Sequence, residues 1–350
     1  MIFFISYWNN SDLGPAKDRY NEILKTITKN KKKIIITSTT SKDIKFYKKI
    51  NNRILIKRFN IFKLLNFINF ILITQFVLIG YSKQIKCVIV TSSKLFSLLP
   101  VVILKKLSNH QFYLIYDIRD YFSKNIYLLT KNKFLFNLVK TLEKFIISNA
   151  DFLTTPNIFV HHQFNIDINY LPNKIIKNKH NGLYNFKIKK IIYAGNYSYF
   201  QFANVELYTL IKNNKKINFD FYVWGLFRDK LIELKKKFNI TNMTILNPIS
   251  KRLLNKKYKD YDAALCTLNK KYKQRQLPSK INTIANYKLF LIHNFNKNTY
   301  VFKHIKKYQI NNIHFKDVSS NKIYKYKKKN NNHNFDNFDN FFNKNLLHKL

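Results

Sequence analysis

Three of the five glycines in this 350-residue sequence have positions that suit a ligand site. Gly14, Gly195 and Gly225 each lie at or near the end of a predicted strand. Glycine lets the backbone approach a ligand closely, and the carboxyl ends of strands line the ligand crevice of an open α/β sheet. One such glycine is an ordinary turn, but three in two similar halves indicate a cleft between the halves.

A cluster of charge ends another predicted strand. In "YDIRDYF", residues 116–122, Arg119 lies between Asp117 and Asp120, directly after the apolar run "FYLIYD". Two interpretations are open from the residues alone. The cluster is either a solvated salt bridge or part of a site at the edge of the sheet.

The elements that must position these residues follow an alternating pattern. Short apolar runs are separated by longer amphipathic stretches, which predicts parallel sheets flanked by helices. Strands are predicted at 2–8, 33–39, 53–57, 87–92, 112–117 and 151–156, then at 190–195, 219–225, 243–247, 262–268 and 289–294, with helices at 15–30 and 135–149. The pattern restarts after a polar segment that contains Pro172 and Gly182 and is typical of a linker. We therefore predict an α/β protein with two doubly wound Rossmann-like domains, residues 1–175 and 186–325, followed by a low-complexity tail or return helix at 326–350.

One apolar segment, residues 61–82, approaches the length that spans a bilayer. Asn66, Asn69 and Gln75 argue against a simple span. The remaining alternatives are a helix buried against the sheet and a helix that lies in the membrane interface.

The composition predicts an anionic partner. Sixty-three lysines and arginines against eighteen acidic residues give a formal charge of +45. AT-biased codon usage explains the abundance of lysine but not the shortage of Asp and Glu. A membrane leaflet, a nucleotide phosphate and nucleic acid are the candidate partners. Nucleic acid is the least favoured, because the lysines are spread along the whole chain and no aromatic RNA-binding motif is visible.

Two further features concern the compartment. Cys87 and Cys266 lie in apolar strand-like runs, which predicts buried, inert thiols rather than a disulfide or a metal site. The chain opens directly on a strand pattern without a secretory leader, so we expect a cytoplasmic protein.

Eight stretches follow one another in a characteristic order: "SDLGPAKDRYNEI", "CVIVTSSKLFSLLP", "YDIRDYF", "SNADFLTTP", "INYLPN", "IIYAGNYSYFQ", "FDFYVWGLFRDKL" and "LPSKINTIANYKLFLI". This order of motifs resembles the group 1 family of GT-B sugar-nucleotide glycosyltransferases, which builds lipopolysaccharide, capsule and related glycans. Each motif is weak alone, but their order and spacing extend over nearly the whole chain.

The resemblance implies a role for each candidate residue. Gly14 and Asp117 would lie on the acceptor side, with Asp120 as the catalytic candidate held by Arg119. The donor side would comprise Gly195, Asn196, Gly225, Arg228, Ser279, Lys280 and Thr283. There, Gly195 and Asn196 would admit backbone N–H groups to a diphosphate, Arg228 or Lys280 would neutralise it, and Ser279 could cap the next helix. No metal and no cofactor beyond the nucleotide-sugar co-substrate is expected, and the acceptor would be a glycan or lipid-linked molecule at the inner face of the cytoplasmic membrane.

The sequence also departs from the family pattern. The carboxylate expected near position 283, which would hold donor ribose hydroxyls, is replaced by Asn282 and Thr283. A non-catalytic sugar-nucleotide-binding relative is therefore one alternative, and a basic nucleic-acid-binding protein is another. "DYD" at 260–262 imitates a metal-binding motif, but it precedes a strand, which predicts a helix-to-strand turn.

Overall fold

The computed structural model describes residues 1–7, 15–27, 32–39, 44–58, 63–92, 97–108, 111–120, 122–157, 160, 166–171, 184–269, 277–287, 289–326 and 338–345. The chain forms two compact units. Unit 1 comprises Met1–Asn173 together with Phe335–Leu350, and unit 2 comprises Lys174–Asn334. The predicted linker residues Pro172 and Gly182 lie outside the described residues.

Unit 1 is built on an eight-stranded sheet. Its strands are β1 (Ile2–Ser6), β2 (Lys33–Thr39), β3 (Tyr47–Ile50), β4 (Arg53–Lys57), β5 (Cys87–Ser92), β6 (Tyr113–Ile118), β7 (Phe152–Thr155) and β8 (Asn169–Tyr170). Their order is β3-β4-β2-β1-β5-β6-β7-β8, and only the edge pair β3–β4 is antiparallel. Short apolar runs such as "IFFIS" form the central strands, because a parallel strand is buried on both faces.

Helices cover both faces of this sheet. They are α1 (Pro15–Ile27), α2 (Lys63–Gly80), α3 (Leu99–Leu107), α4 (Phe122–Thr130) and α5 (Lys133–Ser148), with α11 (Phe338–Asn345) from the end of the chain. Alternate residues of β1 point to opposite faces, as the strand geometry requires. Phe3 and Ile5 pack with α2, α3 and α5, whereas Ile2 and Phe4 pack with α1 and α11.

Helix α2 lies within the predicted apolar segment 61–82 and packs one face against the sheet. Phe70, Val77 and Leu78 are buried in the same cluster as Phe3 and Ile5. The alternative of a helix buried against the sheet is therefore confirmed for this face. Among the residues that the structure describes, no helix is long and apolar enough to cross a bilayer.

Helix α11 returns to unit 1 after the whole of unit 2. Phe341 and Phe342 are buried in a cluster with Phe4 and Tyr20 of the opposite end of the sequence. Part of the predicted low-complexity segment 326–350 is thus an ordered helix of unit 1, while residues 327–337 and 346–350 lie outside the described residues.

Unit 2 contains a six-stranded parallel sheet and a separate antiparallel pair. Its strands are β9 (Tyr184–Lys187), β10 (Lys190–Asn196), β11 (Asn218–Trp224), β12 (Met243–Leu246), β13 (Ala263–Cys266), β14 (Phe290–His293), β15 (Asn312–His314) and β16 (Ile323–Tyr326). The parallel order is β12-β11-β10-β13-β14-β15, and β9 pairs with β16. Its helices are α6 (Asn204–Lys212), α7 (Arg228–Lys237), α8 (Lys251–Lys257), α9 (Lys280–Asn286) and α10 (Tyr300–Lys307).

Both cysteines lie in strands, as the sequence predicted. Cys87 on β5 and Cys266 on β13 are both free and buried. Burial raises the pKa of the Cys266 thiol to about 12. A thiol with such a pKa stays protonated near neutral pH. The predicted burial of both cysteines is confirmed.

Candidate functional site

In unit 2, most of the predicted donor residues lie at the carboxyl ends of neighbouring strands. Gly195 and Asn196 end β10, Gly225 follows β11, and Arg228 begins α7. Both glycines have positive φ angles, +122° at Gly195 and +110° at Gly225. Residues with a side chain rarely adopt these backbone angles, so the two turns require glycine.

The two turns support each other through close contacts. The Tyr197 amide donates to the Trp224 carbonyl (2.7 Å), and the Phe227 amide donates to the Tyr197 carbonyl (3.1 Å). The Tyr193 hydroxyl donates to the Asn196 carbonyl (2.7 Å). The first two bonds tie the loop after β10 to the loop after β11, and the third holds the end of β10 in place.

We expect Gly225→Ala to destabilise the protein by at least about 1–3 kcal/mol, the usual cost of a residue held in a disfavoured backbone region. An added Cβ would overlap the Asn196 side-chain oxygen and lie 2.8 Å from the Tyr197 carbonyl oxygen. Thermal unfolding measures the effect. The matched control is Gly80→Ala in α2, where no atom lies within 4 Å of the new Cβ, and a small gain of about 0.5–1 kcal/mol is expected. Equal melting temperatures for the two variants would contradict this account of the turn.

Lys280 lies directly beneath the first glycine turn. An added Cβ at Gly195 would lie 3.2 Å from Cε of Lys280, and the lysine Nζ lies 3.5 Å from the centre of the Tyr193 ring. Although the side chain as a whole is partly exposed, Nζ itself is buried and has no hydrogen-bond partner among the described residues. Burial lowers the pKa of this amine to about 7. The amine is therefore a buried hydrogen-bond donor that has no acceptor among the described residues.

Arg228 is a second incompletely paired cation at this edge. Its Nη2 donates to the Asn247 side-chain oxygen (3.1 Å), just after β12. Its Nε is buried and has no partner among the residues that the structure describes. Buried polar groups are normally hydrogen-bonded, so two unpartnered cationic donors beside two glycine turns suit an anion with several acceptor oxygens.

The structure corrects one predicted contact on the donor side. The Ser279 side chain makes no capping hydrogen bond to α9. The residue has helical backbone angles (φ −59°, ψ −21°), whereas a capping serine needs an extended conformation. Thr283 is half-buried on α9. For both Ser279 and Thr283, a role in binding the nucleotide-sugar donor stays a prediction.

Asn282, which stands in place of the family carboxylate, has a structural contact. It is buried, and its side-chain oxygen lies 3.0 Å from Nε2 of His304 on α10. Burial lowers the pKa of His304 to about 3, so the ring is neutral near neutral pH. The pair joins α9 to α10.

In unit 1, Asp117 is a buried anchor rather than an exposed part of a charged cluster. Arg19 of α1 donates to it from Nη2 (2.7 Å) and Nε (3.2 Å), and both side chains have no exposed surface. The hydroxyls of Thr91 (2.9 Å) and Thr154 (2.8 Å) donate to the same carboxylate. Burial alone would raise the pKa of Asp117, but Arg19 and the two hydroxyls hold it below its ordinary value. The interpretation of a solvated Asp-Arg-Asp cluster is therefore wrong at Asp117.

Arg119 and Asp120 follow this anchor in the partly exposed connection from β6 to α4. The far end of the connection is held by Glu143 of α5. Its carboxylate accepts from the Ser123 hydroxyl (2.6 Å) and from the backbone amides of Phe122 (3.0 Å) and Ser123 (3.3 Å). The short segment with Arg119 and Asp120 is thus fixed on both sides. The predicted acceptor-side Gly14 lies outside the described residues.

Sequence reasoning missed Arg19, Glu143 and Tyr193. Each acts through a partner: Arg19 is 98 residues from Asp117, Glu143 is 20 residues from Ser123, and the Tyr193 ring covers the Lys280 amine. The only sequence signal was a charged residue on the apolar face of a predicted helix, at Arg19 and at Glu143. Tyr193 gave no signal, because an aromatic residue is ordinary in a strand.

Neither a metal centre among the described residues nor the cavity beside β14 and β15 coincides with this site. No group of three His, Cys, Asp or Glu side chains within the described ranges is arranged to hold a metal ion. In "DYD", Asp262 accepts from the backbone amides of Lys189 (2.7 Å) and Lys190 (2.9 Å) just before β13, as a helix-to-strand turn predicts. A cavity of about 650 Å³ beside β14 and β15 is lined by neither Arg228 nor Lys280.

Comparisons with known proteins support the fold but give no close relative. No protein-family model matches the sequence, and no curated protein matches it. Among solved structures, the apo form of lipopolysaccharide outer core galactosyltransferase WaaB is 15% identical, with 83% of this chain and 80% of that chain covered and a TM-score of 0.53. The structure described as "Trehalose-6-phosphate from E. coli bound with UDP-2-fluoro glucose" is 10% identical, with 91% of this chain and 88% of that chain covered and a TM-score of 0.57. UDP-GlcNAc 2-epimerase from Methanocaldococcus jannaschii is 10% identical, with 91% of this chain and 89% of that chain covered and a TM-score of 0.52.

These likenesses extend over both units and establish the GT-B fold for this chain. The fold prediction is confirmed. At such identities the likeness carries the fold alone.

Proposed function

We propose that this protein is a glycosyltransferase that takes a sugar from a nucleotide-sugar donor bound at the strand ends of unit 2. The observation that carries the proposal is a pair of buried cationic nitrogen atoms at that edge, Nζ of Lys280 and Nε of Arg228, which have no hydrogen-bond partner among the described residues. They lie beside two turns whose positive φ angles require glycine. A nucleoside diphosphate would supply acceptor oxygens for these two nitrogen atoms.

The chemistry of sugar transfer suits such a site. Negative charge grows on the diphosphate as its bond to the sugar breaks, and fixed positive charge stabilises that transition state. Lys280 and Arg228 would supply this charge without a metal ion. The backbone N–H groups near Gly195 and Asn196 would complete the cradle.

The fold likeness adds support from the ligands and activities of similar structures. One of these structures contains UDP-2-fluoro glucose, and another is a lipopolysaccharide galactosyltransferase. We infer a hexosyl transfer from a nucleotide sugar in the synthesis of a cell-surface polysaccharide.

The acceptor would be a glycan or lipid-linked molecule on the cytoplasmic side of an anionic membrane, engaged by unit 1. Asp120 is the proposed catalytic group there, and Arg119 is its proposed neighbour for orientation. The anchors at Asp117 and Glu143 would hold these two residues in position.

A second candidate is a sugar-nucleotide-binding relative without transfer activity. Asn282 favours it, because this residue replaces the expected carboxylate and is turned to His304. Binding of a nucleotide would then persist without turnover.

Calorimetric titration with UDP, GDP and CMP tests the donor site. We expect one diphosphate to bind, and we expect Lys280→Ala and Arg228→Ala each to weaken it at least tenfold, since a charge-assisted hydrogen bond is worth about 1.5–3 kcal/mol. The matched controls are Lys256→Ala and Arg252→Ala, which remove exposed cations of α8 and should leave binding unchanged.

Release of nucleotide from the matching nucleotide sugar then separates the two candidates. Release that requires a lipid-linked or glycan acceptor would support transfer. Binding without release would favour the non-catalytic relative. A folded wild-type protein that binds none of the three nucleotides would overturn the donor site.

A further inference from the structure

The outer surface of α2 is apolar, although this helix already buries its opposite face in the core. Five large apolar side chains are exposed on it: Leu65, Ile68, Leu72, Phe76 and Ile79. Phe76 is 70% exposed and Leu72 is 63% exposed. Spacings of three and four residues place all five on one side of the helix. We call these five residues the apolar stripe.

A second helix in the same layer of unit 1, α5, also exposes apolar side chains. Phe134, Leu138 and Phe145 are exposed at spacings of four and seven residues, again on one helical side. Both helices bury their inner sides in the same cluster against the same face of the sheet, α2 through Val77 and α5 through Ile146. An exposed patch of several large apolar side chains, such as the apolar stripe, marks an interaction surface.

The stretch of sequence that contains the stripe carries charge of one sign. Between Ile44 and Tyr116 the sequence contains twelve lysines and arginines, and all eighteen acidic residues of the chain lie elsewhere. Several of these cations are exposed beside α2: Lys83 and Lys86 follow its end, and Lys48 and Lys49 lie on the exposed edge strand β3. Nζ of Lys49 donates to the hydroxyl of Tyr81, the residue after α2 (3.0 Å).

We propose that the apolar stripe and its surrounding lysines dock on the surface of an anionic lipid bilayer. A helix with one apolar side and basic surroundings lies in the bilayer interface and buries that side about 5–10 Å deep. The lysines then face the lipid phosphates, which attract each of them. The bilayer surface thus buries the apolar side chains and pairs the lysines with lipid phosphates at the same time.

Charge argues for lipid over other occupants. A symmetric contact between two copies would set the stripe against itself and bring the lysines of both copies together, with no carboxylate from this segment to pair them. Nucleic acid would use the lysines but leave the exposed leucine and phenylalanine side chains without an apolar partner.

Flotation of the full-length protein with lipid vesicles tests the proposal. We expect binding to vesicles of 70% phosphatidylcholine and 30% phosphatidylglycerol, and at least tenfold weaker binding to phosphatidylcholine alone. The double variant Leu72→Ser, Phe76→Ser should bind the anionic vesicles at least tenfold more weakly, because two exposed apolar anchors are lost. The double variant Lys83→Gln, Lys86→Gln should lose about fivefold per lysine.

The matched control is Val205→Ser, Leu253→Ser, which removes two exposed apolar side chains of unit 2 and should bind vesicles as the wild type does. Wild-type protein that stays in the unbound fraction would overturn the proposal. So would a dimer in analytical ultracentrifugation that Leu72→Ser, Phe76→Ser dissociates, since a second copy would then cover the stripe. The inference rests on the proposed function only for the location of the acceptor. Because flotation needs no nucleotide, its failure leaves the calorimetric test of the donor site intact.

Discussion

Replacing Arg19 with methionine is expected to lower the free energy of unfolding by about 3–5 kcal/mol, the usual effect of breaking a buried ion pair from one side. The substitution leaves the Asp117 carboxylate buried with only the hydroxyls of Thr91 and Thr154. Methionine approximates the arginine stem, so the lost packing is small. The double variant Arg19→Met, Asp117→Leu should recover much of the loss, because no unpaired charge then remains.

Urea unfolding measures this effect in unit 1. The chain has two tryptophans, Trp8 in the segment of unit 1 and Trp224 on β11. In a Trp224→Phe background, fluorescence reports on Trp8 alone. The control is Arg252→Met on the exposed side of α8. A change below about 1 kcal/mol for Arg19→Met, within the range of an exposed ion pair, would refute the anchor.

The dependence of stability on pH tests the same buried ion pair. Because the pKa of Asp117 lies below its ordinary value of 3.8, its contribution is complete above that pH and is lost as the pH falls through the folded-state pKa. We expect Asp117→Asn to be less stable than the wild type near pH 7, with the difference narrowing in strong acid.

The affinity of the donor nucleotide diphosphate is expected to fall about tenfold per pH unit between pH 7.5 and 9. In the free protein, burial lowers the pKa of the Lys280 amine to about 7. Above that pH the protonated fraction falls tenfold per unit, whereas the terminal phosphate is already almost fully ionised. Because the diphosphate favours the charged amine, binding should take up nearly one proton near pH 8.

Calorimetry in buffers of different ionisation enthalpy measures this proton uptake. Lys280→Met should abolish both the uptake and the pH slope, with weak residual affinity through Arg228. Lys256→Met should retain both. A wild-type affinity that stays level from pH 7.5 to 9 would show that the diphosphate does not meet this amine.

Much of the fold could be predicted because the central strands are continuous apolar runs. Strands β2, β4 and β5 begin and end at the predicted residues. The missed strands are short or lie at sheet edges. All four residues of β3, "YKKI", are exposed, so the strand has no buried side to produce an apolar pattern.

The site was harder to predict, because its properties depend on contacts between distant residues. The pattern of turns pointed to Gly195 and Gly225, since a strand followed by glycine is a local feature. The burial of Asp117 depends on Arg19, and the low pKa of Lys280 depends on the surrounding strands of unit 2. The expected cap at Ser279 failed because its backbone is already helical.

The return of α11 to unit 1 has a consequence for biosynthesis. Phe341 and Phe342 cover Phe4 and Tyr20, yet they are translated after the whole of unit 2. At about 5–20 residues per second, the ribosome needs on the order of 10–30 s to add the intervening residues. During that time the nascent unit 1 leaves an aromatic surface uncovered. Unit 1 is a discontinuous domain that is completed only when α11 emerges from the exit tunnel.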